Sequence, residues 1–153
     1  MKIKGHKGFT IVELLIVVSL IAILSAVAIP ALLKYQRDYK FWDYASQMEY
    51  LVKSAKILAM ERTTNVGVCV SGSTLTIRDL GTDRGAGICT GTVVRTMQVT
   101  DSYVSLSGSG ASFDPRGLAI QLGSACVTYD GRFERVVISR AGVRTERGSG
   151  GCS

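Results

Sequence analysis

Apolar residues crowd one end of the chain. Residues 9–33 read FTIVELLIVVSLIAILSAVAIPALL, 25 positions with a single charge, Glu13. A helix needs about 20 apolar residues to cross a bilayer core, so this run is long enough to span one. Beyond it the pattern narrows to a stripe. Phe41, Ala45, Met48, Val52, Ala55 and Ala59 step by four and three, with Tyr44, Leu51 and Leu58 widening the face. That spacing is one side of a helix. The other side carries Lys40, Asp43, Glu49, Lys53, Lys56 and Glu61. No Gly or Pro interrupts Ala31 to Arg62, so one helix is predicted from Phe9 to Arg62, about 80 Å long at 1.5 Å per residue. Pro30 lacks a backbone donor and crowds the turn before it, which predicts a kink or local melting.

From Thr63 the period falls towards two. Short Val/Ile/Thr-rich runs appear at 64–70, 73–78, 92–99, 103–106, 118–122, 126–129 and 133–139, separated by Gly, Asp and Ser clusters. Asp130-Gly131 between two runs is a hairpin signal, because Gly accepts the positive φ of a tight turn. The segment SGSGAS, 107–112, reads as a long tip loop. The predicted fold is α+β: a long N-terminal helix, transmembrane in its first half and amphipathic in its second, packed on a mostly antiparallel β domain. No repeat of 20–50 residues is present.

Composition sharpens this picture. The 153 residues are 46% hydrophobic and 20% charged, with a net charge of +6 and a mean hydropathy of +0.25. A disordered chain would be poorer in apolar residues and richer in charge. Lys2, Lys4 and Lys7 precede the apolar run without any acid. By the positive-inside tendency that short end stays cytoplasmic and the bulk lies across the membrane. Three readings compete for the run. A cleaved signal peptide has a shorter apolar core and a small-residue cleavage site. A plain single-pass anchor leaves Glu13 unexplained, since a carboxylate at membrane depth costs a few kcal/mol unless paired. The third reading cuts the chain between Gly8 and Phe9. The new ammonium would stand four residues before Glu13, one helical turn away, within a chain or between neighbours.

Gly8, Phe9, Thr10 and Glu13, followed by an apolar helix containing Pro30, resemble the class III signal of type IV pilins and type II secretion pseudopilins. The resemblance covers about the first 35 residues. It implies cleavage after Gly8 by a prepilin peptidase, N-methylation of Phe9, and assembly through Thr10, Glu13 and Pro30 into a filament at the bacterial inner membrane. It divides the chain into a leader at 1–8, a transmembrane and assembly helix at 9–33, an amphipathic continuation at 34–62 and a periplasmic β domain at 63–153. Phe113-Asp114-Pro115-Arg116-Gly117, then Arg135-Val136-Val137-Ile138-Ser139 and an end containing Gly142, are similar to the H-type pseudopilin and FimT-like minor pilin family (GspH/FimT). The partners implied are other pilin or pseudopilin subunits, the peptidase and methyltransferase, the inner membrane, and secreted cargo or DNA.

Cys69, Cys89, Cys126 and Cys152 form no C-x-x-C pair, and their spacings fit no common zinc pattern. An exported domain meets an oxidising compartment, so disulfides are expected, and three pairings are possible. Cys69–Cys89 and Cys126–Cys152 are favoured, each joining a strand to a nearby loop or tail. Four buried or metal-bound thiols are the alternative. The lone histidine, His6, would leave with the leader, and imidazole-based catalysis would leave with it. Asp79 and Asp83 share a Gly-rich stretch without calcium-loop spacing, and read as a turn of solvated carboxylates. No phosphate loop or dinucleotide fingerprint is present, so no enzyme and no cofactor are expected.

Without the leader lysines the net charge falls to +3. Residues 132–153 alone hold five Arg against Glu134 and Glu146. Arginine clusters hold phosphates through bidentate contacts, and some FimT-like minor pilins bind DNA with a C-terminal Gly-Arg-x-Arg motif. Here the chain reads Arg140-Ala141-Gly142-Val143-Arg144, so the Arg directly after Gly is missing. Arg140, Arg144 and Arg147 are the candidate DNA contacts, with Tyr129 and Phe133 near enough for base stacking. The plainer reading is the solvated edge of the last hairpin. The sequence therefore predicts a minor pilin or pseudopilin at a filament tip, with a DNA-binding minor pilin for natural transformation as the alternative.

Overall fold

A computed structural model of the chain describes residues 8–152; the leader residues Lys2, Lys4, His6 and Lys7 lie outside it. Helix α1 runs from Ile11 to Arg62. It starts where Thr10 caps it: the Thr10 Oγ1 accepts the Glu13 amide at 3.2 Å, and the Thr10 carbonyl accepts the Leu14 amide. The local melting expected at Pro30 is absent, and α1 is unbroken there. One missing donor is outweighed by the cooperative hydrogen-bond ladder on either side.

The chain divides into two compact units at Tyr39/Lys40. The first is helix, and none of its described side chains is buried. Leu24 and Val27 are 70% and 75% exposed. Its apolar character is not spent on an intrachain core, and an 18-residue window of it is long and apolar enough to cross a membrane.

The second unit holds the rest of α1 and all the strands. Its buried helix residues are Phe41, Tyr44, Ala45, Met48, Leu51, Val52, Ala55, Leu58 and Ala59, the stripe read from the sequence. Each large member contributes about 1.5–3 kcal/mol by leaving water. They join one core cluster with Val66, Val68, Leu75, Ile77, Phe113, Val127, Val136 and Ile138.

Nine strands follow: β1 (Asn65–Ser71), β2 (Thr74–Gly81), β3 (Thr92–Gln98), β4 (Ser105–Gly108), β5 (Ala111–Phe113), β6 (Ala119–Gln121), β7 (Gly123–Tyr129), β8 (Arg132–Ser139) and β9 (Gly142–Ser149). They form two antiparallel sheets, in the orders β3-β2-β1-β5-β6 and β4-β7-β8-β9. Asp130 and Gly131 turn the β7–β8 hairpin with φ of 48° and 68°, the positive values a type I′ turn demands.

Two strands depart from the expected pattern. Residues 107–112 are not one loop: Ser107 and Gly108 end β4, and Ala111 and Ser112 open β5. β5 is only three residues long, all buried, and pairs with β1 and β6. Its flanking glycines serve close packing. A Cβ on Gly108 would overlap the Ser124 carbonyl, and one on Gly110 would overlap the Val68 carbonyl. The other is β9, GVRTERGS, whose polar residues follow from its place at a sheet edge.

Disulfides join Cys69 to Cys89 and Cys126 to Cys152, with Cα separations of 4.9 and 6.2 Å, and no cysteine is free. The first ties the segment before β3 to the middle of β1. The second ties the tail to the buried centre of β7.

Candidate functional site

Gly8, Phe9 and Thr10 precede the helix and are exposed. The Gly8–Phe9 bond therefore sits in non-helical backbone, one residue before the cap. Thr10-Ile11-Val12-Glu13 has the form of a capping box, in which an N-cap hydroxyl and a Glu three residues on serve the first turn's orphan amides. The Thr10 half of that box is formed. This signal was legible in the sequence and assigns Thr10 a local role: it starts the helix at a fixed residue. Glu13 is also the acidic residue of the first helical turn, where a carboxylate complements the positive end of the helix dipole. From Phe9 to Leu33 it is the one charge among exposed apolar residues. Pro30 sits inside α1.

The C-terminal arginines are arranged by cross-strand pairing. β8 and β9 place Glu134 opposite Arg147 and Arg135 opposite Glu146. The Arg147 Nε donates to Glu134 Oε2 at 2.6 Å, while Glu134 itself is wholly buried. Arg147 also lies over the Trp42 ring at 5.4 Å and 4.0 Å from Glu49. Its hydrogen bond and charge attraction to Glu134 hold the guanidinium above its ordinary pKa. Arg135 donates to Glu146 at 2.7 Å and Arg144 to the same carboxylate at 2.8 Å. The Arg135 hydrogen bond, with Arg144 adding to it, draws the Glu146 pKa down. Arg140 stands apart, exposed in the β8–β9 turn. Two Glu-Arg dipeptides at equal distances from that turn are the sequence signal for this pairing. Counting charges along the chain misses it.

Tyr129 and Phe133 are also engaged. The Arg132 guanidinium lies 5.4 Å from the Tyr129 ring centre, and Arg135 lies 5.9 Å from that of Phe133. Asp79 belongs to β2 rather than a solvated turn. Burial pushes its pKa up, but the Gly81 amide, Thr64 and Arg62 outweigh that and lower it. Asp83 accepts the Gly85 amide at 2.8 Å. Among the described residues no group of three or more His, Cys, Asp or Glu side chains could hold a metal.

The Phe113–Gly117 segment is organised by Asp114, which is 1% exposed. Its Oδ1 accepts the amides of Arg116 and Leu118, each at 2.9 Å. Its Oδ2 accepts the Arg116 guanidinium at 2.9 Å. Asp, Pro and Gly at the first, second and fourth positions suit a type I turn, closed by the Gly117 amide on the Asp114 carbonyl at 2.8 Å. Burial raises the Asp114 pKa, and these donors more than reverse it.

Residues 3–29 match the prokaryotic N-terminal methylation motif. The fold matches the type IV minor pilin FimU of Pseudomonas aeruginosa in two crystal forms. One superposes with a TM-score of 0.55 at 13% identity, covering 73% of this chain and 92% of that one. The other gives 0.50 at 14% identity, covering 69% and 91%. The chain thus carries the prepilin-type methylation motif at its start and has the fold of a type IV minor pilin, one long N-terminal helix with antiparallel sheets.

Proposed function

We propose that this chain is a minor pilin or pseudopilin, cut after Gly8, methylated on Phe9 and inserted at or near a filament tip through its N-terminal helix. It is a structural subunit of a type II secretion pseudopilus or a type IV pilus, not an enzyme. One observation carries the reading: an exposed apolar rod with a lone carboxylate, Glu13, one turn after the proposed cleavage point and inside the matched methylation motif. Before assembly the rod is solvated by the inner membrane, with the β domain in the periplasm. In a filament the same surface is buried by the rods of neighbouring subunits, and Glu13 pairs with a neighbour's N-terminal ammonium. Secreted cargo or other minor subunits meet the β domain.

Mass spectrometry of the chain from membranes should find methylated Phe9 at the N-terminus; a start at Met1 would leave a plain anchor. Glu13→Ala should insert and be cut normally yet be depleted from filaments at least tenfold. Unchanged incorporation would sink the pairing argument. The DNA-receptor reading draws less support from the geometry, since Arg144 and Arg147 are already paired with Glu146 and Glu134. A salt-dependent mobility shift of DNA, abolished by Arg140→Ala, would restore it.

A further inference from the structure

We propose that the small cavity between α1, the turn after Asp114 and the β8–β9 turn is an oxyanion site that receives one side-chain carboxylate of a neighbouring subunit. The cavity is about 80 Å³, several times the roughly 10–15 Å³ that one water requires. Its lining includes two cations, Lys56 and Arg140, and no acidic residue. Neither cation has a hydrogen bond or ion pair among the described residues. This sets them apart from Arg116, Arg135, Arg144 and Arg147, each held by a carboxylate. Gly117, at φ +74°, keeps the wall open: an ideal Cβ there would lie 3.1 Å from Lys56 Cε. Phe113 and Leu118 supply apolar wall beside the charges, which lowers the local dielectric and strengthens attraction for an anion.

The distribution of unpaired charge selects the ligand. Nucleic acid gains affinity by neutralising several phosphates along a strip. On the neighbouring β8–β9 strip, Arg135, Arg144 and Arg147 are already engaged by Glu134 and Glu146. A single small site with two cations fits a single carboxylate. That the carboxylate comes from another subunit rests on the filament reading above; the anion site itself does not.

Two measurements separate the claims. The full chain in neutral dodecyl maltoside micelles is titrated with sodium acetate and, at matched ionic strength, with sodium chloride, following backbone amides by NMR. Saturable shifts at Gly117, Ala141 and Gly142 are expected with acetate. Lys56→Gln/Arg140→Gln should weaken them about tenfold or more, because each charge-assisted hydrogen bond lost is worth that much. Equal, unsaturated shifts with both salts, or shifts unchanged in the double variant, would overturn the site. In assembled filaments, carbodiimide treatment should couple Lys56 to an Asp or Glu of another chain, whereas Lys56→Arg should incorporate without that cross-link. Normal incorporation without a Lys56 cross-link overturns the subunit assignment while leaving the anion titration standing. Tight binding of an oligonucleotide but not acetate overturns it in favour of nucleic acid. Absence of the chain from filaments instead defeats the filament reading.

Discussion

Asp114 carries its charge inside the protein because four donors converge on it. Asp114→Asn keeps the shape but exchanges acceptor capacity for donors, and leaves the Arg116 guanidinium unpaired. A cost of about 2–3 kcal/mol is expected, read as a lower midpoint in denaturant unfolding. Its pH dependence has a definite sign. Asp114, Asp79, Glu49 and Glu146 all have folded pKa values below their ordinary ones; for Glu49 the Lys53 hydrogen bond leads. Their contribution is complete above the unfolded values near pH 4 and is lost as pH falls through the lower folded values. Thermal midpoints should therefore drop between pH 5 and pH 2, less steeply in Asp114→Asn. Arg147 and Arg144 differ as sharply as two nearby arginines can. Arg147→Ala strands the buried Glu134. The guanidinium is more than half exposed, so the penalty is nearer 2 kcal/mol than the 3–5 of a fully buried pair. Arg144→Ala should change stability by less than about 0.5 kcal/mol. Equal effects in the two unfolding curves would contradict the pairing scheme.

At the scale of elements, the helix was the most legible part of the sequence. Its stripe of Phe41 to Ala59 repeats over several turns, and every member is buried as the spacing required. The Asp130-Gly131 turn was legible for a similar reason, because one dipeptide satisfies both positive φ values. β5 and β9 were not. β5 is too short to show a period, and its glycines look like loop residues until the carbonyls pressed against them are seen. β9 alternates weakly because an edge strand has little to bury. Thr10 was readable as a cap from the Glu three positions on. The buried stripe yields a direct test. Met48→Ala should cost about 2–5 kcal/mol through the cavity it leaves, whereas Ile57→Ala, at a position 60% exposed, should cost far less. Both are read from denaturant midpoints.

Across the whole molecule, the two disulfides close loops of moderate length in a domain of modest core. Each is worth about 3 kcal/mol by loop entropy. Reduction in neutral micelles at pH 8 should lower the thermal midpoint by more than about 10 °C, with Cys69–Cys89 opening first because its outer sulfur, on Cys89, is exposed whereas that of Cys152 is half-buried. Mass mapping of alkylated thiols over time gives the order. The methylation motif was legible in the first 35 residues, but the cavity lined by Lys56 and Arg140 was not. Those two residues are 84 positions apart in the chain, and the fold that joins them depends on β5 and β9, the strands without a readable period.

On the filament role proposed above, the chain is pulled as well as held. A load on the second half of α1 would fall on the row of buried side chains from Phe41 to Ala59 together, because they share one helix face and one core. Contacts loaded together yield at higher force than contacts broken one by one, and stretching single molecules of the β domain with this half of the helix should show one abrupt yield rather than a staircase.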